Sequence, residues 1–148
     1  MEIKKEQLLD AAYTLFKKHG INRITVKEIC GKSGVSKGTF YKYFSNKQDL
    51  AEELLRTVTA EGMNNYREIM EQDISFGQKV ELLIKLKFEQ TRDMSAEFID
   101  DLLRNAPPSL SHLHRELSEA VLKEVMQDLA AAQEAGEIRN DIRPGFIL

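Results

Sequence analysis

From Ile29 to Gln48 the chain carries no acidic residue, while Lys32, Lys37, Lys42 and Lys47 stand in that window with Tyr41 and Tyr43 among them. Residues of these kinds bind rather than react: ammonium groups meet phosphate oxygens, and aromatic and hydroxyl groups meet base edges. Nothing else matches the spacing that catalysis or metal binding needs. His112 and His114 are two apart on a helical stretch, so they face different ways and cannot share a metal. Cys30, the one cysteine, falls on the inner face of a helix and reads as a buried structural thiol. His19 precedes Gly20, an ordinary helix-end position. Glu97, Asp100 and Asp101 cluster with Arg104 in reach and read as a solvated face. No serine, histidine and acid fall into a nucleophile arrangement, and no glycine loop is built to cradle phosphate. The chain is therefore expected to hold no catalytic residue, no metal ligand and no cofactor, and not to be an enzyme.

The 148 residues suffice for one domain, or for a small module fused to a larger one. With 42% apolar and 30% charged residues, the composition is that of a folded chain rather than a disordered one. The longest apolar run, Leu129 to Ala132, is too short to span a bilayer, and Met1 to Glu6 has mixed charge with no apolar run behind it. Neither a membrane span nor a secretory leader is expected, and with a single cysteine the expected compartment is the cytoplasm. Charge is uneven. Residues 1–50 hold ten Lys and Arg against five acids, a net of +5, and because the whole chain is −3 the remainder carries −8. A basic head on an acidic body points the head at a polyanion.

The elements that must position the basic window are helices, since no alternating β-branched run and no hairpin turn is present. Leu8, Leu9, Ala12, Leu15 and Phe16 recur at helical spacing, and Gly20 closes that helix near residue 19. Thr25-Val26-Lys27-Glu28 reads as a capping box opening a second helix, which Ser33-Gly34-Val35 breaks. Ser36 caps a short third helix ending near Phe44, and Ser45-Asn46-Lys47-Gln48 reads as a capping box for a long fourth helix, residues 47–72. Further on, Ser75 caps a fifth helix, Phe98, Leu102 and Leu103 mark a sixth stopped by Pro107-Pro108, and Ser109 caps a seventh that ends near Gly136. The expected fold is all-α.

Two short helices joined by a tight turn at Gly34 have the layout of a helix-turn-helix, whose second helix enters the major groove. At about 100° per residue, Phe40 and Phe44 point together toward the core. Gly38 and Lys42 then lie on the far side, with Thr39 and Tyr41 on the shoulders. A glycine inside a helix costs about 1 kcal/mol relative to alanine, less in the first turn, and a missing side chain lets the backbone approach DNA closely. Lys37 and Lys47 stand near helix N-termini, whose free N–H groups also attract phosphate, and Thr25 could offer its hydroxyl or its helix start likewise.

The run Ile24-Thr25-Val26-Lys27-Glu28-Ile29, then Gly34-Val35-Ser36-Lys37-Gly38-Thr39-Phe40-Tyr41-Lys42-Tyr43-Phe44, then Lys47 and Leu50, resembles the TetR (tetracycline-repressor-like) family of bacterial regulators. The likeness covers residues 6 to about 55 and rests on Tyr41, Phe44 and Lys47 standing at the family's Tyr-x-x-Phe and following Lys. It implies a three-helix DNA-binding domain, residues 1–46, and a helical effector-binding and dimerising domain, residues 47–148. Carried onto matching positions, Thr25, Lys37, Tyr43 and Lys47 resemble phosphate contacts, and Gly38, Tyr41 and Lys42 base contacts, with Ser36 and Thr39 beside them. The implied activity is repression: a homodimer on a palindromic double-stranded operator, released when a small-molecule effector moves the fourth helix and spreads the two recognition helices. Such helices must sit roughly 34–36 Å apart, or a multiple of that, to read one face of the duplex.

An effector pocket in the body would draw on Met63, Tyr66, Met70, Ile84, Phe88, Phe98, Leu102, Leu113 and Leu117, although such stripes are also what a plain core looks like. The family usually continues with two more helices that complete a bundle across the dimer, whereas here Arg143-Pro144-Gly145 reads as a helix start and the chain stops at Leu148. A shortened form and a variant that dimerises differently both fit, and a shortened form would leave apolar surface uncovered on the sixth and seventh helices. The competing reading is a helical protein-interaction module with weakened DNA binding.

Overall fold

The computed structural model describes residues 3–143, and among these the chain forms seven helices and no strand. They are α1 Ile3–His19, α2 Val26–Ser33, α3 Lys37–Tyr43, α4 Lys47–Met70, α5 Phe76–Thr91, α6 Ala96–Leu103 and α7 Pro108–Glu134. No helix among the described residues is long and apolar enough to cross a membrane.

The order and boundaries follow from local chemistry. Gly20 ends α1 with a left-handed φ of 84°, its N–H donating to the Phe16 carbonyl at 2.8 Å. The capping box read at Thr25–Glu28 is formed, and Ser75, read as a cap, forms a second one with Gln78. Two caps fall elsewhere. Asn46, not Ser45, accepts a free N–H in the first turn of α4, from Asp49 at 2.9 Å, because its extended backbone aims the amide oxygen at the third residue of the helix. Asp49 in return accepts the Ser45 N–H, and Gln48 is left to bond Glu52. The cap residue of α7 is Pro107 and makes no side-chain bond, so Pro108 rather than Ser109 opens the helix. The hydroxyl of Ser109 reaches Glu52 of α4 instead. Helix α4 stops at Met70, two residues before the expected end.

One apolar core joins the first three helices, and it does not end at residue 46. Leu8, Ala12 and Phe16 of α1, Ile29 of α2, Phe40 of α3 and Leu50 of α4 are all essentially free of solvent, with Phe98 of α6 and Leu110 of α7 packed into the same cluster. Farther along, α4 pairs with α7, and Met63 of α4 and Leu113 and Leu129 of α7 are buried. Polar pins fasten that pair: Tyr66 donates to Asp128 at 2.8 Å, and Arg67 clasps Glu124 with two bonds of 2.7 and 2.8 Å. Helix α5 packs mainly on α4 and has no buried residue. Ile84 and Phe88 on it, Leu103 on α6 and Leu122 on α7 are each at least half exposed. The helix start expected at Pro144 lies outside the described residues.

Candidate nucleic-acid interface

The interface is built on the pair α2–α3. Thr25 caps α2 and Gly34 closes it with a φ of 71°, a left-handed conformation that a side chain would strain. Val35 is buried just after the turn, which anchors the entry to α3. Ser36 then caps α3: its hydroxyl accepts the Thr39 N–H at 3.2 Å and donates to the Thr39 hydroxyl at 3.0 Å. Phe40 inserts fully into the core and Phe44 follows it, so the rotation of α3 about its axis is settled by the burial of two rings.

What remains outside is the face read from the sequence. Lys37, Gly38, Tyr41 and Lys42 are exposed, Tyr41 at 57%. Neither Lys37 nor Lys42 forms an ion pair among the described residues. Thr39 and Tyr43 are half-buried, and Tyr43 packs along the core. Gly38 is informative. A β-carbon there would meet only the Ser36 hydroxyl, at 3.9 Å, and the backbone is not left-handed. Nothing inside the protein requires glycine at this position, yet glycine is what stands there.

Two expected phosphate contacts have other work. The Lys47 ammonium donates to the carbonyls of Ile21 and Asn22, at 2.9 and 3.1 Å, and so ties the start of α4 to the α1–α2 turn. Burial pushes its pKa below the usual lysine range, against the opposing pull of Asp101 and Glu28. The Thr25 hydroxyl is spent within the capping box, accepting the Glu28 N–H and donating to the Glu28 carboxylate. That carboxylate is held below the usual glutamate range by the Thr25 backbone N–H first and its hydroxyl second. The lysine signal in the sequence could not show this, because the carbonyls it meets lie 25 and 26 residues away.

The expected effector wall is not brought together. Phe98 and Leu102 pack against the core of the first helices, while Ile84 and Phe88 face outward, at 65% and 69% exposure. Leu113 is buried on α7, and Tyr66 is engaged with Asp128, its phenol pushed up by burial and by that carboxylate. Met63, Met70 and Leu117 border open clefts. Two open clefts flank the Arg67–Glu124 pair, one of about 560 Å³ bordered by Met70, Phe76 and Asp128, the other of about 250 Å³ bordered by Met63, Leu117 and Val121.

A contact that sequence reading missed sits behind the interface. Asp101, expected on a solvated face, accepts both the backbone N–H and the side-chain amide of Asn22, each at 3.0 Å. Only Asp100, of that acidic group, pairs with Arg104.

Residues 8–54 match the family model described as bacterial regulatory proteins, tetR family. Over 86 residues the chain is 30% identical to the HTH-type transcriptional repressor KstR2 of Rhodococcus jostii, a match covering 58% of this chain but 42% of that protein. With the HTH-type transcriptional regulator UidR of Escherichia coli (strain K12) it shares 26% identity over 140 residues, 93% of this chain and 70% of the relative. Its fold is similar to that of FadR from Bacillus subtilis, a transcriptional regulator solved in complex with stearoyl-CoA, with a TM-score of 0.77 at 23% identity over 95% of this chain and 77% of that one. The helix-turn-helix, the outward basic face of α3 and these relatives agree: residues 8–54 carry the DNA-binding region of the tetR family of bacterial regulatory proteins, and the chain as a whole is similar to transcriptional regulators of that family.

Proposed function

We propose that the chain acts in the cytoplasm as a repressor, binding a palindromic double-stranded operator as a homodimer and leaving it when a small molecule enters the helical body. In this reading residues 1–46 form the DNA-binding domain and residues 47–148 the effector-binding and dimerising one. Lys37, Lys42 and Tyr43 meet the duplex with Gly38 and Tyr41, Ser36 and Thr39 set the helix start, and Thr25 and Lys47 support the head from behind. The observation that carries the reading is Gly38, a glycine on the exposed face of α3 for which the protein itself has no use. Its value lies in bringing helix backbone against base edges. The repressor named among the relatives and the stearoyl-CoA complex of a protein with this fold support repression and a small-molecule effector.

Selection of duplexes from a random library, followed by titration with small molecules including stearoyl-CoA, tests this. The expected result is a retained palindrome that at least one added molecule releases. A library from which no duplex is retained would contradict it. A second reading, a module that docks on another protein, draws on the exposed Ile84 and Phe88 of α5. Salt separates the two: six phosphate contacts lose roughly a thousandfold in affinity from 50 to 200 mM salt, and an apolar contact does not.

A further inference from the structure

The α1–α2 turn, residues 20–22, is gripped from two sides. From α6, Asp101 accepts the Asn22 N–H through one carboxylate oxygen and the Asn22 amide through the other, while that amide also donates to the Asn105 carbonyl at 3.1 Å. The fit is close: a β-carbon on Gly20 would stand 2.5 Å from the Asp101 carboxylate. Beside it, the N–H of Ser95, the cap residue of α6, donates to the Lys17 carbonyl at the end of α1, at 2.8 Å. From α4, Lys47 holds the carbonyls of Ile21 and Asn22. Asn22 thus has its N–H on a body helix and its C=O on the connecting helix, with the Ile21 carbonyl held beside it.

We infer that Asp101 is a positioning residue for DNA binding: by clamping Asn22 it sets the angle at which the helix-turn-helix stands on the body, without touching DNA. The inference rests on the proposed dimer, because the angle of one head matters only when a second head must reach the same duplex. Apolar packing of Phe98 keeps α6 near α1 but is not directional, and the Ser95–Lys17 bond fixes it at one point only. The paired carboxylate bonds remove that freedom, since both oxygens must meet donors of one residue. A body helix that shifts by an ångström or two therefore carries the α1–α2 turn with it, and the recognition helix follows. This route enters the head through α6 and the turn, separately from the path through α4.

The experiment compares a duplex carrying the selected palindrome with one carrying a single half of it, using the full chain and its Asp101→Asn, Asn22→Ala and doubly substituted forms. Wild type is expected to bind the palindrome far more tightly than the half-site. Asp101→Asn, which turns an amide toward a donor, should lose about tenfold on the palindrome and less than twofold on the half-site, as a head that spends about a tenth of its time at the productive angle would. The double variant should be no weaker than the weaker single one. Equal losses on both duplexes with a lowered melting temperature would make Asp101 a fold-holding residue only and overturn the inference, as would an unchanged palindrome affinity. If wild type itself does not prefer the palindrome, the dimeric reading fails first, and that result is visible before any substitution is made.

Discussion

Phe40 and Tyr41 are chain neighbours whose rings meet edge to face, with centroids 5.1 Å apart and planes at 82°, yet the first is wholly buried and the second is 57% exposed. This one contact links the stability of the head to its reach. The buried ring sets how α3 is rotated, and the exposed ring is braced against it while facing outward. The proposed recognition is thereby placed on a helix of seven residues that could not stand alone in water.

Gly38→Ala should separate folding from binding. A methyl group has room there and alanine favours helix, so stability should rise by up to about 1 kcal/mol. Affinity for the selected duplex should fall at least tenfold, since the methyl group stands between backbone and bases. Thermal melting and a binding titration on the same preparation check this, and undiminished affinity would remove the reason given for the glycine.

Tyr41→Ala and Lys37→Ala should fail in different ways. The first should cost about 1–3 kcal/mol on the preferred sequence and relax the preference. The second should weaken all duplexes alike and make the salt slope shallower by about one. Titrations on preferred and scrambled duplexes at several salt concentrations measure both, and matching profiles would refute the division into base and phosphate contacts.

Phe40→Ala should cost about 3–5 kcal/mol of stability, as expected for removing a fully buried ring from a packed core. Tyr41→Ala, one residue on, should cost less than about 1 kcal/mol. Denaturant midpoints give the comparison, and similar losses would mean that the outward face is part of the core.

Acid should loosen the fold through three glutamates. Glu28 is held below its usual pKa by the Thr25 backbone N–H, Glu52 by the Ser109 hydroxyl and then Gln48, and Glu124 by Arg67. A carboxylate with a depressed folded-state pKa contributes stability above its unfolded value, about 4.3, and loses it as pH falls through the folded one. Melting temperature should therefore hold from pH 7 to 5 and decline below about 4. Glu124→Gln should melt lower than wild type near neutrality, with the gap closing in acid. A gap that persists unchanged at pH 3 would show that ionisation of Glu124 is not what holds α4 to α7.

Much of the fold was legible because its signals are local. The Thr25–Glu28 and Ser75–Gln78 boxes and the inward placing of Phe40 and Phe44 all act within four residues. Caps went astray where neighbours competed, as Ser45 did with Asn46 and Ser109 with Pro107. Periodicity marks which face of a helix is apolar and is silent on what covers it: Phe98 and Leu102 looked like the wall of a body pocket and were claimed by α1 and its neighbours. Asp101 was hidden for the same reason, since its donors lie 79 residues away and its charge alone suggested water.

The most direct test of the central claim is a map of backbone amide shifts by nuclear magnetic resonance as a selected duplex is added to the full chain. The largest changes are expected at Lys37, Gly38, Tyr41 and Lys42, with smaller ones at the α1–α2 turn. Changes centred on α5 or α7, with α3 unmoved, would contradict the account.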